Sequence, residues 1–200
     1  MLASPFMDPA LPLARPHWLD YCDRLDPRPL SAVDLVVLHC TELPDMDSAR
    51  QYGERVLYAS GTGNSGHFYI DRDGQVEQYV PLERIAHHVR GYNARAVGIE
   101  LVNRGRWPHW LDSRHQAMDE PYTSAQLDVL LQLLDSLGQQ LPQLRWVAGH
   151  EDLDRERVPA TDAPQLLVAR KRDPGPQFPW AYLLANTGLQ RLQPPRSLAG

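Results

Sequence analysis

The chain has 200 residues, enough for one domain with a sizeable core, and its composition is that of an ordinary soluble globular protein. A net charge of −5 argues against a general nucleic-acid-binding or anionic-membrane-binding surface. Two cysteines do not make a disulfide framework, and Cys40, beside His39 in an apolar run, reads as a small buried thiol.

Residues 1–32 are proline-rich, carry no clear period, and read as an irregular arm with Trp18 and Tyr21 as anchors and His17 at the surface. Pro5, Asp8, Pro9 and Pro12 interrupt any signal-like apolar region, and no run is long enough to span a membrane, so the expected location is cytoplasmic. Residues 34–41 form a near-continuous, branched apolar run, the pattern of a strand buried on both faces, with His39 at its C-terminal end. A helix capped by Asp47 or Ser48 is expected to run to about residue 59, with Tyr52, Val56 and Leu57 on one stripe. The loop 60–66 lacks the Gly-Lys-Ser/Thr of a phosphate loop. Residues 67–70 and 75–80 read as paired strands around the turn 71–74, with His67 near the sheet interior.

Residues 97–103 read as another buried strand with Glu100 inside it. A carboxylate there costs several kcal/mol unless paired or protonated, and is more often functional than decorative. His87 and His88 point to opposite sides if extended, so at most one is expected to face a site. Residues 105–121 read as an inserted loop whose Trp107 and Trp110 either line a groove or cover the core, with cover favoured. Thr123 and Gln126 form a capping box for a helix to about Leu137, with Leu127, Leu130, Leu131 and Leu134 facing the core and Gly138 as its stop. Residues 144–150 are a third strand candidate, again ending in a histidine, His150, and Asp152 or Glu151 is placed to hold a histidine tautomer. Residues 155–167 read as a loop. In the stretch 170–180, Lys171 and Asp173 lie on one side of an extended segment stiffened by Pro174, Pro176 and Pro179. A short helix over 180–184 closes the domain, and 185–200 reads as a tail.

A single histidine at a strand end is more often a satisfied core group than a ligand. Two of them with Asp173 give a possible His-His-Asp site, the three-ligand arrangement of catalytic zinc.

Six ordered segments make the reading specific: Val37-Leu38-His39-Cys40-Thr41, Ser65-Gly66-His67-Phe68-Tyr69-Ile70, Asp73-Gly74, Gly98-Ile99-Glu100-Leu101-Val102-Asn103, Ala148-Gly149-His150 and Lys171-Arg172-Asp173-Pro174-Gly175-Pro176. Together they resemble the zinc-dependent N-acetylmuramoyl-L-alanine amidases of type 2, a family that includes AmpD-like bacterial amidases, amidase-type phage lysozymes and peptidoglycan recognition proteins. The resemblance covers about residues 33–184. It implies an α/β fold, a central mixed β-sheet flanked by helices with a zinc cleft at one face. It implies an amidase domain over 33–184 with inserted loops at 104–121 and 151–170. It further implies Zn²⁺ held by His39, His150 and Asp173, with Glu100 as general base and acid and Lys171 stabilising the oxyanion, a role worth about 3 kcal/mol in other enzymes. His67, His88, Arg90, Asn93, Trp107 and Trp110 are candidate substrate contacts.

The bond implied is the amide between the lactyl group of N-acetylmuramic acid and L-Ala of the stem peptide. The partners implied are peptidoglycan fragments, with neither nucleic acid nor membrane, and soluble anhydro-muropeptides of cell-wall recycling are preferred over intact sacculus. A non-catalytic peptidoglycan-binding module is the alternative, opposed by the retention of all three candidate ligands and Glu100. The sequence departs from the bacterial relatives in one respect. Twenty residues, 151–170, separate His150 from Lys171, where a short loop is expected.

Overall fold

The computed structural model describes residues 13–193. The elements in chain order are β1 (Arg15–Pro16), β2 (Leu35–Cys40), α1 (Met46–Gly53), β3 (Phe68–Ile70), β4 (Val76–Gln78), β5 (Ala96–Leu101), α2 (Ser124–Gln140), β6 (Trp146–Gly149), α3 (His150–Leu153), β7 (Arg157–Pro159), β8 (Leu167–Ala169), α4 (Trp180–Ala185) and β9 (Gln190–Arg191). Seven strands form one mixed sheet in the order β1-β4-β3-β5-β2-β6-β9, and β7 pairs with β8 in a separate antiparallel hairpin. Within the sheet only β3 and β4 run antiparallel; the other pairings are parallel.

The central strands β2 and β5 are buried on both faces, which is why they read as apolar runs without alternation. Their side chains still divide with period two. Val36, Leu38, Val97, Ile99 and Leu101 join Leu130, Leu133, Leu134 and Leu137 of α2 in the main core. Leu35, Val37 and Ala96 point the other way and pack with Val89 and Ala148. His39 and Glu100 continue this second face. The α2 capping box is present, with Thr123 and Gln126 each accepting the other's backbone N–H. The helix runs past Gly138 to Gln140, so tertiary packing of the leucine face outweighs the glycine.

Helix α1 departs from expectation. Asp45 caps it by accepting from Ser48 N at 2.7 Å, and it stops at Gly53. The N–H groups of Leu57 and Tyr58 both donate to Thr62 O, closing a loop in place of another helical turn. Tyr52, Val56 and Leu57 are therefore exposed and form no core stripe. Three further readings change. Residues 155–167, read as a loop, contain β7 and open into β8; Gln190 and Arg191, read as tail, form an edge strand against Trp146 and Val147. The arm expected over 1–32 contributes β1 to the opposite edge, and Leu19, Tyr21, Cys22 and Leu25 enter a second core cluster with Tyr69 and Tyr79. Residues 1–12 of that arm and 194–200 of the tail lie outside the described residues. Cys22 and Cys40 are both buried free thiols. No helix among the described residues is long and apolar enough to cross a membrane.

Candidate metal centre and cleft

Register builds the site. β2 and β5 pair with His39 opposite Glu100, and β3 places Tyr69 opposite Glu100 on the other side, so the three side chains stand in one row. β6 pairs Leu38 with Gly149, which brings His150 beside His39 one residue later. Asp173 arrives from the proline-stiffened loop, and its carbonyl accepts from Glu151 N at 3.0 Å.

Nδ1 of His39 lies 2.8 Å, and Nδ1 of His150 3.0 Å, from Oδ2 of Asp173. The three residues are 2–3 % exposed and offer ligand atoms within 4.8 Å of one another. Oδ1 of Asp173 is buried with no partner among the described residues, and this open valence, with two imidazole nitrogens on the same oxygen, suits a divalent cation. The electrostatics agree. Burial pushes His39 down to about 4 against the pull of Asp173, so its imidazole is neutral, the ligating form. Burial opposes ionisation of Asp173 as well. His150, the hydrogen bonds from both histidines and the positive Lys171 nevertheless hold its carboxyl well below the usual range. The tautomer partner lies elsewhere than expected: Asp152 accepts from Gly149 N and pairs with Arg191, and His88 Nδ1 sits 3.0 Å from His39 Nε2. His88 thereby orients a candidate ligand ring.

Glu100 Oε1 stands 3.9 Å from His39 Nδ1, with its side chain 14 % exposed. Burial and the neighbouring Asp173 carboxylate raise its pKa well above the ordinary value, against the opposing effect of Lys171. Lys171, Glu100 and the three candidate ligands line one cleft of about 790 Å³. Arg90, Asn93, His87, His88 and Trp110 line it too; the 87–93 segment is not extended, so both histidines reach the cleft. Asn93 spends its side-chain oxygen on the N–H groups of His88 and Val89, which makes it a builder of that loop.

Two proposed contacts are not brought to the cleft. His67 is fully buried, with Nε2 2.8 Å from Arg28 Nη2 and Nδ1 accepting from Gly98 N, and is a core histidine. Trp107 is 37 % exposed beneath Arg104, outside the cleft lining. Glu42 and Arg106 were missed. Arg106 donates to both Glu42 oxygens, at 2.6 and 2.8 Å, and to the carbonyls of Ala169 and Arg170 just before Lys171. Two glycines carried an unread signal. A Cβ at Gly66 would stand 2.9 Å from Glu100 Cγ, and one at Gly98 2.7 Å from His88, so both must be bare for the site to close. Asp173→Ala is expected to lose most bound metal while the sheet stays folded, measured as metal content of the purified protein; unchanged content would move the third ligand elsewhere.

The fold sets two histidines and a carboxylate within one cleft, a cluster that could hold a metal ion. Residues 29–176 match the N-acetylmuramoyl-L-alanine amidase family, and the chain belongs to that family. It is 32 % identical over 121 residues to 1,6-anhydro-N-acetylmuramyl-L-alanine amidase AmpD of Enterobacter cloacae, covering 56 % of this chain and 51 % of that protein. The chain thus spans about half the length of that relative. A selenomethionine AmpD crystal structure superposes with a TM-score of 0.61 at 25 % identity, covering 88 % of this chain and 94 % of that one. The Escherichia coli amidase AmiD, in complex with anhydro-N-acetylmuramic acid-L-Ala-D-gamma-Glu-L-Lys, does so with a TM-score of 0.58 at 25 % identity, covering 81 % and 59 %.

Proposed function

We propose that this chain is a zinc-dependent N-acetylmuramoyl-L-alanine amidase acting on soluble anhydro-muropeptides, with residues 33–184 as its amidase domain. The observation that carries the reading is the convergence of His39, His150 and Asp173 beside Glu100 in a cleft that also holds Lys171. The AmpD relatives, named for 1,6-anhydro-muramyl substrates, support the choice of fragment. A zinc ion held by His39, His150 and Asp173 would supply Lewis acidity, polarising the amide carbonyl and making water more acidic. Glu100 takes a proton from the attacking water, and its raised pKa suits it to deliver that proton to the departing L-Ala nitrogen. Lys171 places an ammonium group where the carbonyl oxygen gains charge. His88 keeps the His39 ring from turning. Tyr52, Tyr58 and Trp110 also line the cleft and offer aromatic surface suited to a sugar ring.

The test is product analysis by mass spectrometry after incubation with a 1,6-anhydro-muropeptide and, in parallel, intact peptidoglycan, each with and without chelator. Chelator-sensitive release of stem peptide from the soluble fragment alone is the expected result. Release from the sacculus as well would make this a wall-degrading enzyme, and release from neither would leave a binding module. Replacing residues 157–167 by a short turn is expected to change the ranking of stem peptides by kcat/KM. Identical rankings would make the hairpin a passive rim.

A further inference from the structure

A second groove of about 770 Å³ adjoins the cleft, and Lys171 lines both. The hairpin β7–β8 forms one wall, and the chain returning to Asp173, with Ser113 and Gln116, completes the lining. Its charges do not balance. Arg155, Arg157, Lys171 and Arg172 line it, and none has a carboxylate within ion-pair distance among the described residues; Arg155 and Arg157 bond only the backbone carbonyls of Asp152 and Leu167. Two carboxylates line it as well: Asp154 is already paired with Arg170, which lines the neighbouring cleft, and Glu151 has no cation within ion-pair distance among the described residues, so four cations face one free carboxylate. Leu166 and Leu167, 49 % and 52 % exposed, add apolar surface on the hairpin side. Unpaired cations facing exposed aliphatic side chains match a peptide that carries free carboxylates and aliphatic stems.

We propose that this groove binds the carboxylate-bearing distal limb of the stem peptide, beyond L-Ala, and that Arg155 and Arg157 set the preference for acidic over amidated stems. The inference rests on the amidase reading for the direction in which the peptide leaves Lys171. A γ-linked glutamate, such as the one in the peptide bound by AmiD, keeps its α-carboxylate free, and a chain terminus adds another. Each such group meeting an exposed arginine gains up to about 1 kcal/mol, so two together give on the order of tenfold in affinity, weakened by salt.

The test is binding of the free tripeptide L-Ala–γ-D-Glu–L-Lys, and of its diamide, to the full chain and to an Arg155→Gln/Arg157→Gln variant. Both side chains are exposed, so the fold is retained, which a thermal melt checks. The expected result is about tenfold tighter binding of the acid by the wild type at low salt, reduced to less than twofold in the variant. Equal affinity for acid and diamide in the wild type, or an undiminished preference in the variant, overturns the proposal. Hydrolysis of the corresponding anhydro-muramyl tripeptide is measured separately. Turnover absent with the preference intact removes the amidase reading alone; turnover present without a preference removes the groove alone.

Discussion

Glu100→Gln is expected to retain bound metal and the fold and to lose about 10²- to 10⁴-fold in turnover, the range removed with a general acid–base group. The amide is isosteric and leaves the three candidate ligands untouched, but it can neither take a proton from water nor return one to a leaving nitrogen. The same substitution raises stability in the metal-free protein. The folded-state pKa of Glu100 lies above its unfolded value, so the native state gains from this group only while it is protonated, and that gain is lost as pH rises through the folded pKa. At neutral pH glutamine removes that liability. A thermal melt of the chelated variant is therefore expected above that of chelated wild type at pH 7, with the gap closing as pH falls toward the ordinary carboxylate range. Retained turnover would remove Glu100 as the base, and a lower Tm would mean that its carboxylate is stabilised by a partner.

Arg106→Ala costs about 3–5 kcal/mol, because it strands the Glu42 carboxylate in the interior. The pair is among the most enclosed in the chain, with side chains 1 % and 8 % exposed. Against a total stability of about 5–15 kcal/mol this is a large fraction, and for a chain of this size it corresponds to a drop in Tm of roughly 6–20 °C. Activity falls as well at temperatures where the variant stays folded. Arg106 donates 2.8 Å to Ala169 O and 3.3 Å to Arg170 O, tying the end of the hairpin to the loop after β2 and fixing the approach to Lys171. Arg106→Lys is expected to fall between, since an ammonium cannot reproduce the two-pronged contact with both Glu42 oxygens. A Tm within 1–2 °C of wild type in Arg106→Ala would show that water replaces the guanidinium and that the hub is dispensable.

The loss of Glu42 and Arg106 from the sequence reading has a plain cause. Each is one charged residue in a polar loop, and 64 positions separate them. No local period marks two such residues as partners, and a charged loop residue is usually solvated. His67 failed in the opposite direction. It sits inside a segment shared with the amidase family and on the same side of the sheet as Tyr69, but Arg28 and the Gly98 N–H take both ring nitrogens and the ring meets His88 edge-on at 5.7 Å without lining the cleft.

Local chemistry determined a good deal. Unbroken branched apolar runs required buried strands at β2 and β5, Thr123 and Gln126 required a helix start, and a carboxylate at position 100 in such a strand required a use. Those features depend on residues a few positions apart, within reach of backbone sterics and period. What only the tertiary structure decided was pairing across distance. The parallel register sets His39 opposite Glu100, His88 takes up the far side of the His39 ring, the hairpin inside 151–170 opens a second groove, and Arg106 draws two loops together. A one-residue slip in that register would turn Glu100 to the α2 side of the sheet. Burial of the opposite leucine, isoleucine and valine face against α2 forbids the slip, so the apolar core, assembled from the whole chain, is what aims His39 and Glu100 at the cleft.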